Sequence, residues 1–140
     1  MLEFLVNDEA GIRRILSGAR TIAVVGLSSD PGRPSHDVAS YLQEAGYTII
    51  PVNPNESEVL GEKAVPSLSA LAGRAVDVVE VFRRPSEVLP HVAEAAAIGA
   101  RVFWMQDGVV NRAAAEQAHA AGMTVVMNRC MLRDHARFMR

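Results

Sequence analysis

Cysteine is nearly absent. The 140-residue chain has one, Cys130, so no intrachain disulfide can form. That excludes disulfide-stapled secreted scaffolds and suits a reducing compartment. No apolar run approaches the roughly 20 residues needed to cross a bilayer. The N-terminal stretch MLEFLVNDEAGIRRIL contains acidic residues and no small-residue cleavage site, so it does not read as a signal peptide. Positive charge is not in excess either: the formal net charge is -2 and the pI about 6.1. Nucleic-acid-binding domains usually present a basic face, so this balance argues against that class. No zinc-ligand spacing, G-x-S-x-G elbow or P-loop occurs. These absences together predict a cytoplasmic protein with no membrane and no nucleic acid among its partners.

What is present is a globular composition, 49% hydrophobic and 21% charged, in a chain the size of one domain. The whole of 1–140 reads as a single unit, without linker, low-complexity tract or repeat. Asp8 and Glu9 precede an amphipathic helix to about Ser17. Thr21 to Gly26 (TIAVVG) is short and β-branched, hence a buried strand. Ser35, as a cap, begins a helix that runs to Ala45 and stops at Gly46. Tyr47 to Val52 is a second strand, expected to be irregular near Pro51. Asn53 to Gly61 reads as a polar loop and Lys63 to Val65 as a short third strand. Ser67 to Ala72 is a small helix. Val76 to Phe82 is a strand, interrupted by Asp77 and Glu80. Ser86 caps a helix to Ile98, and Arg101 to Met105 is the next strand. Asn111 caps a helix to Ala121, Met123 to Met127 is the last strand, and Met131 to Phe138 can form a terminal helix.

Strands alternating with helices require parallel pairing with right-handed crossovers. The predicted fold is therefore α/β, a Rossmann-like, doubly wound, mostly parallel sheet of five or six strands in the order 3-2-1-4-5-6. Ligands bind such sheets at the carboxyl ends of the strands. The candidate segments there are Gly26–Ser35, Asn53–Asn55, Arg83–Pro85, Gln106–Gly108 and Asn128–Cys130.

The first loop, GLSSDPGRPS, has the makings of a phosphate site. Gly26 permits a sharp turn and a close approach. Ser28, Ser29 and the amides opening the helix can donate to an anion, and Arg33 adds charge. Pro31 and Pro34 stiffen it, while Asp30 works against an anion unless it points away. Without a ligand the same residues would form only a tight, solvated turn. Two parts of the dinucleotide fingerprint are missing: G-x-G-x-x-G, and an acidic residue at the end of the second strand, where Val52-Asn53-Pro54 stands. A nicotinamide cofactor is therefore disfavoured. Arg83 and Arg84 can pair with phosphate in a bidentate way, or simply be a solvated basic turn. Trp104 offers a stacking face or a core side chain, and Gln106 an amide to read a ligand.

Taken in order, VVGLS, RPS, IPVNP, GEK, VFRR, WMQ and VVMNRCM resemble the small stand-alone CoA-binding proteins. Those are similar to the N-terminal CoA-binding domain of the succinyl-CoA synthetase alpha subunit. The resemblance spans about Ile12 to His135. It implies coenzyme A lying across the sheet edge. Gly26, Leu27, Ser28 and Ser29 would contact the pyrophosphate, with Arg33, Pro34, Ser35 and His36 at the helix start beside it. Asn53 and Pro54 would border the adenosine, and Phe82, Arg83 and Arg84 the far wall. Trp104 and Gln106 would face pantetheine or adenine. A ribose-binding carboxylate would repel the ribose phosphate of CoA, which fits its absence.

The synthetase also has a second domain with a phosphorylated histidine, which has no counterpart in these 140 residues. His91 and His119 fall on helices and are expected to be exposed, and His135 lies in a segment expected to fray. None forms a recognisable catalytic arrangement. Asp77 and Glu80 read as strand-end or edge residues rather than an acid/base pair. Cys130, at the ligand edge, is either an inert buried thiol or a partner for a mixed disulfide with CoA. The expectation is a bacterial cytoplasmic protein that binds CoA or acyl-CoA, is not an enzyme, and serves a protein partner or forms a homodimer. The alternatives are a small nicotinamide-dependent reductase and a structural or regulatory module with an unused cleft.

Overall fold

A computed structural model describes residues 2–139. The element order is α1 (Glu9–Gly18), β1 (Thr21–Val25), α2 (Pro34–Glu44), β2 (Thr48–Val52), β3 (Glu58–Val59), β4 (Glu62–Lys63), β5 (Val78–Val81), α3 (Leu89–Ala97), β6 (Val102–Met105), α4 (Arg112–Ala120), β7 (Thr124–Met127) and α5 (Met131–Phe138). Short 3-10 turns occupy Leu68–Leu71 and Pro85–Glu87. Five strands form one parallel sheet in the order β2-β1-β5-β6-β7. Helices cover both faces, which is the Rossmann-like α/β arrangement expected of the alternating pattern.

The β-branched runs become strands because both their faces are buried. β5 and β6 are buried at every position. One core lies under α3 and α4, with Val79, Val81, Phe103 and Met105 from the sheet and Val92, Ala95, Ala114 and Ala118 from the helices. The other lies under α1, α2 and α5, with Val24, Val78, Trp104 and Val126 meeting Ile12, Leu16, Leu42 and Met131. Alanines on α4 let that helix sit close to the sheet. Asp8 caps α1 by accepting the Gly11 N–H at 3.1 Å, and Asn111 caps α4 by accepting the Ala114 N–H at 2.9 Å.

Several expectations need correction. The third strand is reduced to one parallel bridge, Val52 to Val65, flanked by Val65 N–H to Pro51 O at 3.0 Å and Asn53 N–H to Val65 O at 2.9 Å. The stretch before it is not a plain loop. β3 and β4 pair antiparallel through Leu60 and Gly61, both at positive φ (56° and 77°), the geometry of a two-residue hairpin turn. Pro51 does not disturb β2, which keeps a continuous parallel register with β1. Its carbonyl serves Val65, so its nitrogen faces the same outer side, where no ladder donor is required. Ser86 is not a cap: Pro85 and Pro90 split the segment into a 3-10 turn and then α3, because proline is accommodated in a first turn but not later. The terminal segment is not frayed. α5 packs on α1 and α2, with the Tyr41 hydroxyl 3.0 Å from His135 Nδ1 and the Tyr47 ring edge-on to the imidazole. His91 is half-buried beside Glu94, and Phe4 stacks on the exposed His119 at 4.1 Å between centroids.

Candidate functional site

The carboxyl ends of β1, β5 and β6 open into one cleft of about 720 Å3. Gly26 makes this edge possible. It ends β1 at φ 85°, and a Cβ there would lie 2.3 Å from the Phe82 carbonyl oxygen. Only a residue without a side chain lets β1 turn off so close to the end of β5. Its N–H is held by Val52 O at 2.8 Å.

The loop after Gly26 is knitted by its own polar groups. The Ser28 N–H donates to Ser35 Oγ at 3.1 Å, the Asp30 N–H to Ser28 Oγ at 3.0 Å, and the Gly32 N–H to Asp30 Oδ1 at 2.8 Å. The Asn53 amide donates to Leu27 O at 3.1 Å. Ser35 is therefore a loop clasp and not the helix cap. α2 begins one residue earlier at Pro34, after Arg33, and Ser35 is buried. Asp30 turns its carboxylate onto the loop backbone. A second carboxylate stands in the way of an anion: Glu56 Oε2 accepts the Ser29 N–H at 2.8 Å.

Arg83 and Arg84, at the end of β5, line the same cleft. Glu87 pairs with both, at 2.6 Å to Arg83 and 3.7 Å to Arg84. Glu87 escaped the sequence reading, although its spacing of three and four residues from the arginines in RRPSE is the signal for such a pair. Arg83 Nε is buried without a partner. The cleft wall thus carries three arginines, Arg33, Arg83 and Arg84, opposed by Glu56, Glu87 and Asp107. Asp107 is in turn held by Arg133 through bonds of 2.8 and 2.9 Å.

Of the residues expected at the site, Gly26, Ser28, Arg33, Pro34, Ser35, Asn53, Phe82, Arg83, Arg84 and Gln106 line this cleft. Leu27, Ser29, His36, Pro54 and Trp104 do not. Leu27 and Trp104 are fully buried in the core under α1 and α2. The Trp104 indole is spent on an internal bond, donating from Nε1 to Arg129 O at 2.8 Å, so it offers no stacking face. Residues two apart on a strand share a face, so Trp104 lies on the same face as Gln106 but deeper, below the edge that Gln106 reaches.

Glu80 is the largest departure from expectation. It is neither an edge nor a strand-end residue, but sits fully buried in β5, the middle strand, opposite Val24 and Trp104. Its carboxyl accepts from the Gln106 amide, while Oε1 has no partner. Burial pushes this acid up to about 8, against a weaker downward pull from the Gln106 bond, so it is protonated at neutral pH. Asp77 is a strand-end residue, as expected, and accepts the N–H groups of Arg20 and Thr21 at 2.9 and 3.0 Å.

Cys130 lies half-buried on the cleft wall. Burial pushes its thiol up, which keeps it protonated and a poor nucleophile at neutral pH. Among the described residues no group of three His, Cys, Asp or Glu is placed to hold a metal, and no helix is long and apolar enough to cross a membrane.

The loop, the arginine pair and the glutamine at one sheet edge are the parts that the motif resemblance predicts. Residues 20–136 match the family model of the CoA binding domain. The chain belongs to this CoA-binding family. An uncharacterized protein of Bacillus subtilis (strain 168), YneT, is 50% identical over 130 residues, 92% of this chain and 95% of that protein. A hypothetical protein from Pyrococcus horikoshii OT3 superposes with a TM-score of 0.92 at 40% identity, covering 96% of this chain and 94% of its own. A dinucleotide-forming acetyl-coenzyme A synthetase of Ca. Korarchaeum cryptofilum, solved with phosphate and ADP, gives a TM-score of 0.69 at 26% identity. The match covers 81% of this chain and 26% of that one, which agrees with the likeness to a synthetase domain.

Proposed function

We propose that the protein binds coenzyme A, free or acylated, across the carboxyl edge of the sheet and catalyses no reaction by itself. The observation that carries this reading is a single cavity of about 720 Å3 that gathers Ser28 and Arg33 from the first loop with Arg83 and Arg84 from the end of β5. A ligand with a diphosphate, a ribose phosphate and an amide-bearing arm matches that polarity. Its phosphates belong with the arginines, where they would take over from Glu87 as partners of the guanidinium groups. Its pantetheine arm belongs at the end bounded by Gln106, Val109 and Cys130. The cleft wall contains no histidine, its thiol is kept protonated, and Glu80 is sealed in the sheet. None of these makes an activated nucleophile or an exposed acid/base pair. The expected role is carriage or sensing of the ligand, or its supply to a partner protein.

Calorimetric titration of protein stripped of ligand by reversible unfolding tests this, with CoA and NAD in parallel. Saturable binding of CoA and not NAD is expected. Binding of NAD alone overturns the reading and restores the reductase. No heat from either leaves a module whose cleft holds no such nucleotide.

A further inference from the structure

Beside the cleft runs a second groove of about 610 Å3, between the first half of α2 and one side of α5. Its walls are mostly carbon: Pro34 and Val38 from α2, Leu132 and Ala136 from α5, and Cys130 just ahead of α5. The groove meets the cleft, because Pro34, Val38 and Cys130 border both. Polarity therefore changes in one direction along the joined spaces. The cleft lining holds Arg33, Arg83, Arg84 and Gln106, the junction is formed by Pro34, Val38 and Cys130, and the groove beyond is apolar.

A linear ligand that is anionic at one end, amide-bearing in its middle and hydrocarbon at its tip has the same order. We infer that the α2–α5 groove receives the acyl chain of an acyl-CoA, with the thioester beside Cys130. This inference rests on the CoA reading above and extends it to a class of acyl group. Arg133 is already held by Asp107 through two bonds of 2.8 and 2.9 Å, and Asp37 adds a negative charge. The rim carries both signs, Asp37 beside Arg133 and Arg137, and the apolar walls below it favour the alkyl part of the chain. Continuity with the cleft singles out a ligand's tail as the occupant of the groove, rather than a second copy of the chain.

The test is the dependence of affinity on chain length. A methylene half-buried in an open groove gains about twofold, since full burial gains about fourfold. The dissociation constant should fall in steps from acetyl-CoA through butanoyl- and hexanoyl- to octanoyl-CoA, roughly 60-fold over the series at that rate. Ala136→Phe fills the groove and Leu132→Gln makes its wall polar; neither residue borders the cleft. Either variant, once shown to be folded by circular dichroism, should flatten the series and leave the affinity for CoA itself unchanged. An affinity independent of chain length in the unaltered protein overturns the inference, as does a length dependence that survives both variants. A groove covered by a second copy would show as a dimer split by Ala136→Phe with no chain-length effect, and that too overturns it. If CoA itself fails to bind, it is the reading of the cleft that falls.

Discussion

A carboxyl group buried in the middle strand makes the stability of this protein depend on pH. Burial pushes the Glu80 acid up to about 8, against 4.5 for the group in an open chain. Between those values the unfolded chain releases a proton that the folded chain keeps. Stability is therefore fully present below the lower value, is lost as pH rises, and stops falling above the higher one. The slope is about 1.4 kcal/mol per pH unit while only the unfolded form is ionised. Integrated from about pH 5.5 to about pH 7.5, the loss is about 2.5 kcal/mol. Glu80→Gln removes this titration and keeps an acceptor for the Gln106 amide. Every other group titrates alike in both proteins, so the stability gained by the variant should widen by about 2.5 kcal/mol across that range, or roughly 8 °C in Tm. Urea unfolding of both proteins at several pH values measures the difference directly. A gap that does not change with pH would refute the assignment of a neutral, buried Glu80.

Further consequences concern the cleft. Arg83→Ala should weaken CoA binding by about 1.5–3 kcal/mol in a titration at low salt, and Arg84→Ala by less, because Arg84 is 86% exposed. Unchanged affinity in the double variant would move the phosphates elsewhere. Glu56→Gln removes a negative charge from the cleft lining while its amide oxygen can still accept the Ser29 N–H, and should tighten CoA binding by about 1 kcal/mol. A loss of affinity would show that Glu56 organises the loop rather than competing with the ligand. Gly26→Ala places a Cβ against the Phe82 carbonyl at a left-handed backbone position, and thermal unfolding should report a loss of about 3 kcal/mol or more. With its thiol pushed up by burial, Cys130 should add no mass on incubation with CoA disulfide at neutral pH. A CoA adduct there would mark it as the mixed-disulfide site.

The sequence by itself determined the class of fold, because hydrophobic periodicity and chain punctuation are local. TIAVVG, VDVVEVF and RVFWM are too short and too β-branched for helices, and the crossovers between them force a parallel sheet. It also determined where a ligand would sit, since the strand ends of such a sheet converge on one edge. What it could not determine were pairings between distant segments. Glu80 sits in an ordinary apolar run, and only the sheet order that puts β5 in the middle decides that its charge must be suppressed. Trp104 and Gln106 are two residues apart on one face, yet one is sealed in the core under α1, α2 and α5 while the other reaches the cleft. Ser35 carries every local mark of a cap, but the returning loop brings the Ser28 N–H to its hydroxyl instead. Glu56 reaches Ser29 across 27 residues of chain, and the α2–α5 groove exists only because α5 folds back onto α2. Burial and charge pairing are sums over neighbours in space, and it is the tertiary structure that chooses those neighbours.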